Sequence, residues 1–303
     1  MRILITGANG HLGRRLIRRL NEDHADAEVF ALVRSERARR QIEKDGLDAT
    51  IAIVDYGDAA ALAAVGKQAG KFDAVVHLVG IIKESRANPF ERAHEGACRA
   101  LVDSGIEAER IVSLGIVGTA PESHNACLLS RHRADQVLLE ASTPATILRV
   151  PMVLGPDDYA SASLARNARK SLVFSWRAGS LEQPIDSRDV TDAILALIRL
   201  PADDRIVELA GPESLSRRKL IQRAGSLTGN QPTVVSLPML LGYGLAWMLE
   251  KLSANPPVTR AMLGVLDHDD EVDITAAVAL LELQLRPLDE TLEMVLASQS
   301  SAG

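Results

Sequence analysis

Residues 2–16 read RILITGANGHLGRRL. Ile3, Leu4 and Ile5 form an unbroken apolar run ending at Thr6, the mark of a buried strand, and from Leu12 onward Leu16, Ile17 and Leu20 recur at helical spacing. Between the two lie Gly7, Gly10 and Gly13, spaced G-x-x-G-x-x-G. A strand, such a loop and a helix in immediate succession form the opening of a βαβ unit. The first glycine permits a tight turn, the second lets a pyrophosphate approach the backbone, and the third lets helix and strand pack closely. The pyrophosphate then sits against the free N–H groups of the helix N-terminus. Gly7, Asn9, Gly10, His11, Leu12 and Gly13 are the expected cradle.

The rhythm continues outward from this unit. Strand-like runs occur at 2–6, 28–33, 49–55, 74–80, 110–114 and 145–150, with helical patterns between them. Alternation of this kind predicts a parallel sheet, and runs apolar on both faces predict helices on each side of it. The expected fold is α/β, a doubly wound Rossmann sheet with a smaller, mostly helical C-terminal substrate domain. The rhythm breaks after Pro151, so the dinucleotide-binding domain is placed at 1–154. The segment QPIDSRDVTDAILALIRL (183–200) is expected to pack back onto it. Residues 155–182 and 201–303 are then the substrate side, with VELAG (207–211) and TVVSL (233–237) as short strands. PMLLGYGLAWML (238–249) reads as a core helix or a substrate-pocket wall.

Composition narrows the function classes. A net charge of −6 argues against general nucleic-acid binding. Two cysteines, Cys98 and Cys127, form no disulfide framework, so a reduced, cytoplasmic setting is expected. Gly, Asn and His interrupt the first apolar run, so no signal peptide is expected. No apolar run reaches the roughly 20 residues of a membrane span. The seven histidines show no metal spacing, and no metal site is expected. The partner in view is a small-molecule substrate, with an oligomer possible.

The end of the second strand reads ALVRSERARR (31–40). NAD binders usually hold the ribose 2′-hydroxyl there with an acid. Arg34 occupies that place, and a planar guanidinium suits a 2′-phosphate. Arg37, Arg39 and Arg40 add positive charge, although singly each reads as an ordinary solvated residue. NADP(H) is therefore the preferred cofactor, with NAD(H) possible. Asp55, ending the third strand, is placed to accept from the adenine amino group, and Val79 and Gly80, ending the fourth, to face the cofactor ribose.

With these motifs the chain resembles the short-chain dehydrogenase/reductase superfamily in its extended and atypical branches. TGANGHLG (6–13) matches the family's TGxxGxxG, and HLVG (77–80) resembles its fourth-strand motif. RVPMVLGP (149–156) resembles its sixth strand and the turn beside the nicotinamide, which implicates Pro151 and Val153 in cofactor contact. The stretch 207–238 and the later run from NPPVTRAMLGVL to LRPLDETLEMVL resemble one atypical subgroup. That subgroup holds NmrA-like proteins and relatives of the nucleotide-binding accessory subunit of respiratory complex I.

The family's catalytic residues carry over unevenly. Ser113, five residues before Gly118, falls on the substrate-orienting serine. The tyrosine position falls on Cys127 and the lysine position, four residues later, on Arg131; no tyrosine lies between 57 and 158. Arg131 can still donate to ribose hydroxyls but cannot shuttle a proton. The Cys127 thiol is too short to reach where a phenol would act. A cysteine nucleophile served by His124 or His132 is the less favoured reading. Asp157 and Asp158 read as turn formers, and Asp189 as the cap of the helix that follows. Trp176 and Arg177 line a pocket or anchor a loop, and RRLIRR (14–19) is the exposed face of the first helix. Two functions follow. One is an NADPH-dependent reductase or isomerase-like enzyme acting on a small, largely apolar metabolite without the usual Tyr/Lys pair. The other is a non-catalytic dinucleotide-binding redox sensor or assembly protein.

Overall fold

The computed structural model describes residues 1–24, 26–253 and 256–300. Asn255, which opens NPPVTRAMLGVL, and residues 301–303 of the expected substrate side lie outside the described residues. In chain order the first elements are β1 (Arg2–Thr6), α1 (His11–Asp23), β2 (Glu28–Val33), α2 (Glu36–Lys44), β3 (Thr50–Ile53), α3 (Ala59–Ala69) and β4 (Ala74–His77). A π-helical turn (Arg92–Gly96) then runs into α4 (Ala97–Asp103), followed by β5 (Ile111–Ile116), α5 (Ala126–Leu139) and β6 (Ala145–Val150). Next come β7 (Val153–Leu154), α6 (Tyr159–Ala168), β8 (Leu172–Trp176), β9 (Leu181–Glu182), β10 (Ile185–Asp186), α7 (Ser187–Arg199) and β11 (Arg205–Glu208). The remainder is β12 (Leu215–Ser216), α8 (Arg217–Leu227), β13 (Thr233–Leu237), α9 (Met239–Leu252), α10 (Arg260–Val265), α11 (Thr275–Leu281) and α12 (Leu288–Ser300).

The chain forms two compact units: Met1–Arg149 with Thr191–Val207, and Val150–Val190 with Glu208–Gly303. Segment 183–200 is thus divided at Val190. The main sheet has seven strands in the order β3-β2-β1-β4-β5-β6-β11, a Rossmann order with its reversal point between β1 and β4. The expected doubly wound α/β fold is what forms. β1 pairs in parallel with both β2 and β4, β2 with β3, and β4 with β5. Every residue of β4 and β6 is buried, as expected of strands covered on both faces. The core is aliphatic, with one aromatic pair: Phe30 and Phe72 meet edge to face at 5.2 Å, and Arg2 lies over both rings. Helix starts follow local chemistry. Ser35 caps α2 by accepting from Ala38 N–H, and Asp58 caps α3 through Ala61 N–H.

The second unit has its own core, in which Leu164, Val173, Leu220, Val234, Leu292 and Val295 pack together. Here the sequence reading needs correction at several points. β8 was not expected; it pairs in parallel with β13, and the alternation of buried Val173 with exposed Leu172 and Phe174 is its signature. α9 is not a core helix. Its buried residues are the small Gly242 and Ala246, while Leu240 is 84% exposed. The inward face has no room for larger groups, since a Cβ on Gly242 would lie 3.2 Å from the Trp176 ring. Asp189 lies inside α7 and binds Arg286, whereas Asp186 accepts from the first-turn N–H of Arg188 at 2.7 Å. Arg177 is a loop anchor, reaching Asp269 at 2.9 Å and Asp267 at 3.4 Å. Asp158 caps α6 through Ser161 N–H, as its turn-forming role implies.

In the first unit Arg149 of β6 donates twice to Asp135 of α5, from Nε at 3.1 Å and Nη2 at 2.8 Å. The carboxylate side chain is only 4% exposed. Removing one partner of a buried pair strands the other, at a cost of about 3–5 kcal/mol. Arg149→Ala is expected to lose that much stability in urea unfolding. A loss under about 1 kcal/mol would mean that the pair does not hold α5 to β6.

Candidate functional site

The glycine loop leaves β1 at the reversal point. Gly7 has φ +71°, a left-handed conformation that L side chains rarely adopt, and a Cβ there would lie 3.0 Å from the Leu78 carbonyl. Gly10 takes the N-cap of α1 and has no side chain to offer the helix. The first-turn N–H groups of α1, those of Leu12 and Gly13 among them, therefore lack intrahelical acceptors. Gly13 sits so close to the loop that a Cβ would lie 2.6 Å from Ala8 O. Arg14 corrects the reading of RRLIRR as an exposed face. It is 9% exposed, donates from Nε to Asn9 O at 3.2 Å and from Nη1 to Asp45 at 2.6 Å. The loop backbone is thus held from the helix side.

The rim of this loop is basic. Arg34 follows β2 directly and is exposed, with its guanidinium 5.8 Å from the centre of the Tyr56 ring. Arg37 and Arg40 are exposed beside it, whereas Arg39 is engaged with Glu43 at 2.8 Å. Asp55 accepts from Gly57 N–H at 3.1 Å and from Arg92 at 2.6 Å. Those bonds, Gly57 first, with the charges of Arg92 and Arg34, hold its carboxyl below the usual carboxylate range. Tyr56 escaped the sequence reading. Its buried phenol donates to Leu32 O at 2.8 Å and accepts from Gly7 N–H at 3.0 Å. The available signal was its rarity: Tyr56 is the first of three tyrosines and comes three positions after the last residue of β3.

A buried polar cluster lies beside the ends of β4 and β5. Thr6, His77 and Ser113 are in register on neighbouring strands and share one sheet face. His77 bonds Thr6 Oγ1 through Nδ1 at 2.9 Å and approaches Cys98 Sγ through Nε2 at 3.6 Å. Ser113 is 3% exposed on that same face. The cap Asn125 accepts from Cys127 N–H and Leu128 N–H, which sets Cys127 in the first turn of α5. Its thiol is fully buried and donates to Ile81 O at 3.5 Å. One turn on, Arg131 donates from Nη1 to Val79 O at 3.1 Å and Leu114 O at 3.3 Å. Its guanidinium lies over Gly80, where a Cβ would fall 1.4 Å from Nη2, and its Nε is buried without a hydrogen-bond partner among the described residues. His94, in the π-helical turn, accepts from Ile81 N–H at 3.1 Å when its Nε2 is unprotonated. The backbone of 79–81 is therefore gripped by Arg131, His94 and Cys127.

The electrostatics follow from burial. It pushes the Cys127 thiol up to about 11 and Cys98 up to about 12. Burial first, and then the charge of Arg131, pull His77 and His94 down to about 3. In this cluster the only fixed positive charge is the guanidinium of Arg131, itself pulled down by burial. Asp135, one turn along, is already bound by Arg149.

The structure thus brings the glycine loop, Arg34, Asp55, Val79, Gly80, Ser113, Cys127 and Arg131 into one unit. Pro151 and Val153 belong to the second, where Val153 pairs with Ile185 of β10. Among the described residues no group of three or more His, Cys, Asp or Glu side chains is arranged to hold a metal ion. No helix of the described residues is long and apolar enough to cross a membrane.

Comparison with known proteins bears out the resemblance to the short-chain dehydrogenase/reductase superfamily. Residues 3–101 match the NAD dependent epimerase/dehydratase family. The chain is 26% identical over 240 residues to a ceramide reductase of Caulobacter vibrioides, covering 78% of this chain and 73% of that protein. It is 25% identical over 299 residues to the mitochondrial NADH dehydrogenase [ubiquinone] 1 alpha subcomplex subunit 9 of Arabidopsis thaliana, covering 94% of this chain and 73% of that protein. In fold it is similar to the UDP-glucuronic acid 4-epimerase of Bacillus cereus, solved with UDP-glucuronic acid and NAD. The TM-score there is 0.74 at 15% identity, with all of both chains covered.

The two buried histidines give a pH dependence of definite sign. Both titrate near 3 in the fold, and near 6.5 when unfolded. Between those values the unfolded chain binds the protons, so stability falls as pH drops from about 6.5 towards 3. Each histidine contributes a slope of about 1.4 kcal/mol per pH unit in that window. Urea unfolding at pH 5 and pH 7 is expected to show a shallower loss in His77→Gln than in the parent chain. Identical pH slopes would mean that His77 is not held neutral by the fold.

Proposed function

We propose that the protein binds a nicotinamide dinucleotide, NADP(H) in preference to NAD(H). We read it as a reductase or isomerase-like enzyme of the atypical short-chain dehydrogenase/reductase type, acting on a small, largely apolar metabolite. The observation that carries this reading is the glycine loop at the reversal point of the sheet. Gly10 gives the start of α1 no side-chain cap, and a helix start of that kind suits a pyrophosphate. The residues present fit the cofactor. Gly10 through Gly13 would hold the pyrophosphate, Arg34 a 2′-phosphate, and Val79, Gly80 and Arg131 the nicotinamide ribose. When bound, the reduced cofactor supplies hydride. The relative named as a ceramide reductase supports an apolar substrate.

The chain's own residues limit the proton chemistry. The buried Cys127 thiol already gives its proton to Ile81 O, so we read it as a packing residue and not as the acid that protonates a reduced carbonyl. Arg131 keeps its proton and serves as a fixed charge. Ser113 is read as orienting the substrate oxygen, with a water or a substrate group delivering the proton. A second reading, a non-catalytic dinucleotide binder in a sensing or assembly role, is favoured by this same immobilised Cys127–Arg131 pair. The relative in the NADH dehydrogenase complex agrees with it.

Titration calorimetry separates cofactor preferences. NADPH is expected to bind more tightly than NADH, and Arg34→Ala to erode the difference by about 1.5–3 kcal/mol, the worth of a hydrogen bond to a charged group. Equal affinities in the unmutated chain would end the NADP(H) preference. Turnover separates the two functions. If NADPH oxidation is found in a metabolite screen, Cys127→Ala is expected to leave single-turnover rates within a few-fold across pH. A loss of about a hundredfold, the scale of general acid–base catalysis, would return the cysteine to the chemistry.

A further inference from the structure

We infer that Tyr56 is a positioning residue that sets the glycine loop and the 2′-phosphate-reading arginine with a single side chain. This rests on the dinucleotide-binding reading above. Three connections converge on it. Its hydroxyl donates to Leu32 O at 2.8 Å, two residues before Arg34. The same oxygen accepts the Gly7 N–H at 3.0 Å. Its ring lies under the Arg34 guanidinium at 5.8 Å. Gly7, in its left-handed conformation, has turned out of the strand ladder, and the phenol supplies the acceptor its N–H would otherwise lack.

The arrangement assigns the parts of the side chain separate tasks. The hydroxyl fixes where the loop begins, and so where the uncapped turn of α1 points. The ring gives a long, flexible guanidinium a face to rest on at the mouth of the site. A leucine could fill the volume but do neither task; a phenylalanine could do only the second. Tyr56 is not a proton donor to substrate. It is 6% exposed, its oxygen already gives and takes a hydrogen bond, and burial pushes its pKa up to about 12.

The test uses the full chain and two variants, with NADPH and NADH as titrants and amide exchange of residues 7–10 read by NMR without cofactor. Tyr56→Phe is expected to weaken both dinucleotides about tenfold, the effect of leaving one buried donor unpaired. Its NADPH/NADH ratio should stay within about twofold of the parent, and Gly7 amide exchange should rise at least tenfold. Tyr56→Leu should add a further loss of about threefold or more in that ratio, as the ring under Arg34 disappears. A general packing role would move both variants alike in melting temperature and leave the ratio alone. The inference is overturned if Tyr56→Phe leaves Gly7 exchange and both affinities within twofold. It is equally overturned if Tyr56→Leu keeps the parent's ratio. Equal affinities of the parent for the two dinucleotides would remove the Arg34 half. If the parent binds neither, the dinucleotide reading itself fails; Gly7 exchange still decides whether Tyr56 holds the loop.

Discussion

The site depends on the register of β1 between β2 and β4. Thr6 is the partner of Leu32 on one side and of His77 on the other, and His77 is the partner of Ser113. Because these strands run parallel, their C-terminal ends fall at one level. Gly7, Arg34 and Leu78 follow the ends of β1, β2 and β4. A slip of one residue in β1 would turn every side chain of the strand to the opposite face and shift Gly7 away from Leu78 and Tyr56. The apolar packing of Ile3, Leu4 and Ile5, none of them exposed, makes that slip costly. Core burial is therefore what aims the loop.

The second constraint is polar. The turn at 79–81 has carbonyl and N–H groups facing the interior, and such groups must be paired. Arg131 takes Val79 O, His94 takes Ile81 N–H, and the Cys127 thiol gives to Ile81 O. A buried guanidinium is expensive, and here backbone carbonyls rather than a carboxylate offset the cost. The neighbouring carboxylate, Asp135, is held by Arg149 instead. His94 reaches the turn from a π-helical segment, where one extra residue per turn redirects a side chain. The positions that carry a tyrosine and a lysine in much of the resembling family are used here to fasten the backbone.

How much of this was legible follows from the kind of signal each feature leaves. The glycine spacing and the apolar runs are local, and they predicted six strands of the parallel sheet and the loop at Gly7–Gly13. α9 misled because apolar composition does not say which face is buried; the small Gly242 and Ala246, spaced four apart, were the real pointer to its inner side. β13 was legible as TVVSL (233–237), whereas β8, its partner, was too short to stand out alone. The hold of Arg14 on Asp45, and that of Tyr56 on Gly7 and Leu32, join residues far apart in sequence. No spacing rule announces such bonds.

Cys127 and Arg131, read from the sequence as standing at the tyrosine and lysine positions of the resembling family, differ from that pair in reach and charge. At the Cys127 position a phenol extends well beyond the helix, whereas the thiol ends against Ile81 O beneath the 79–81 turn. At position 131 a lysine ammonium could lose its proton when buried, but a guanidinium does not. Burial first, and then that charge, keep the neighbouring histidines neutral, which removes them from acid catalysis as well. His77 and His94 are thus held neutral, and both thiols stay protonated. A reductase built on it must take its proton from outside the cluster. A binder built on it needs no proton at all, and on the proposed reading the turn over which Arg131 lies serves either one in the same way, as a fixed surface for the ribose.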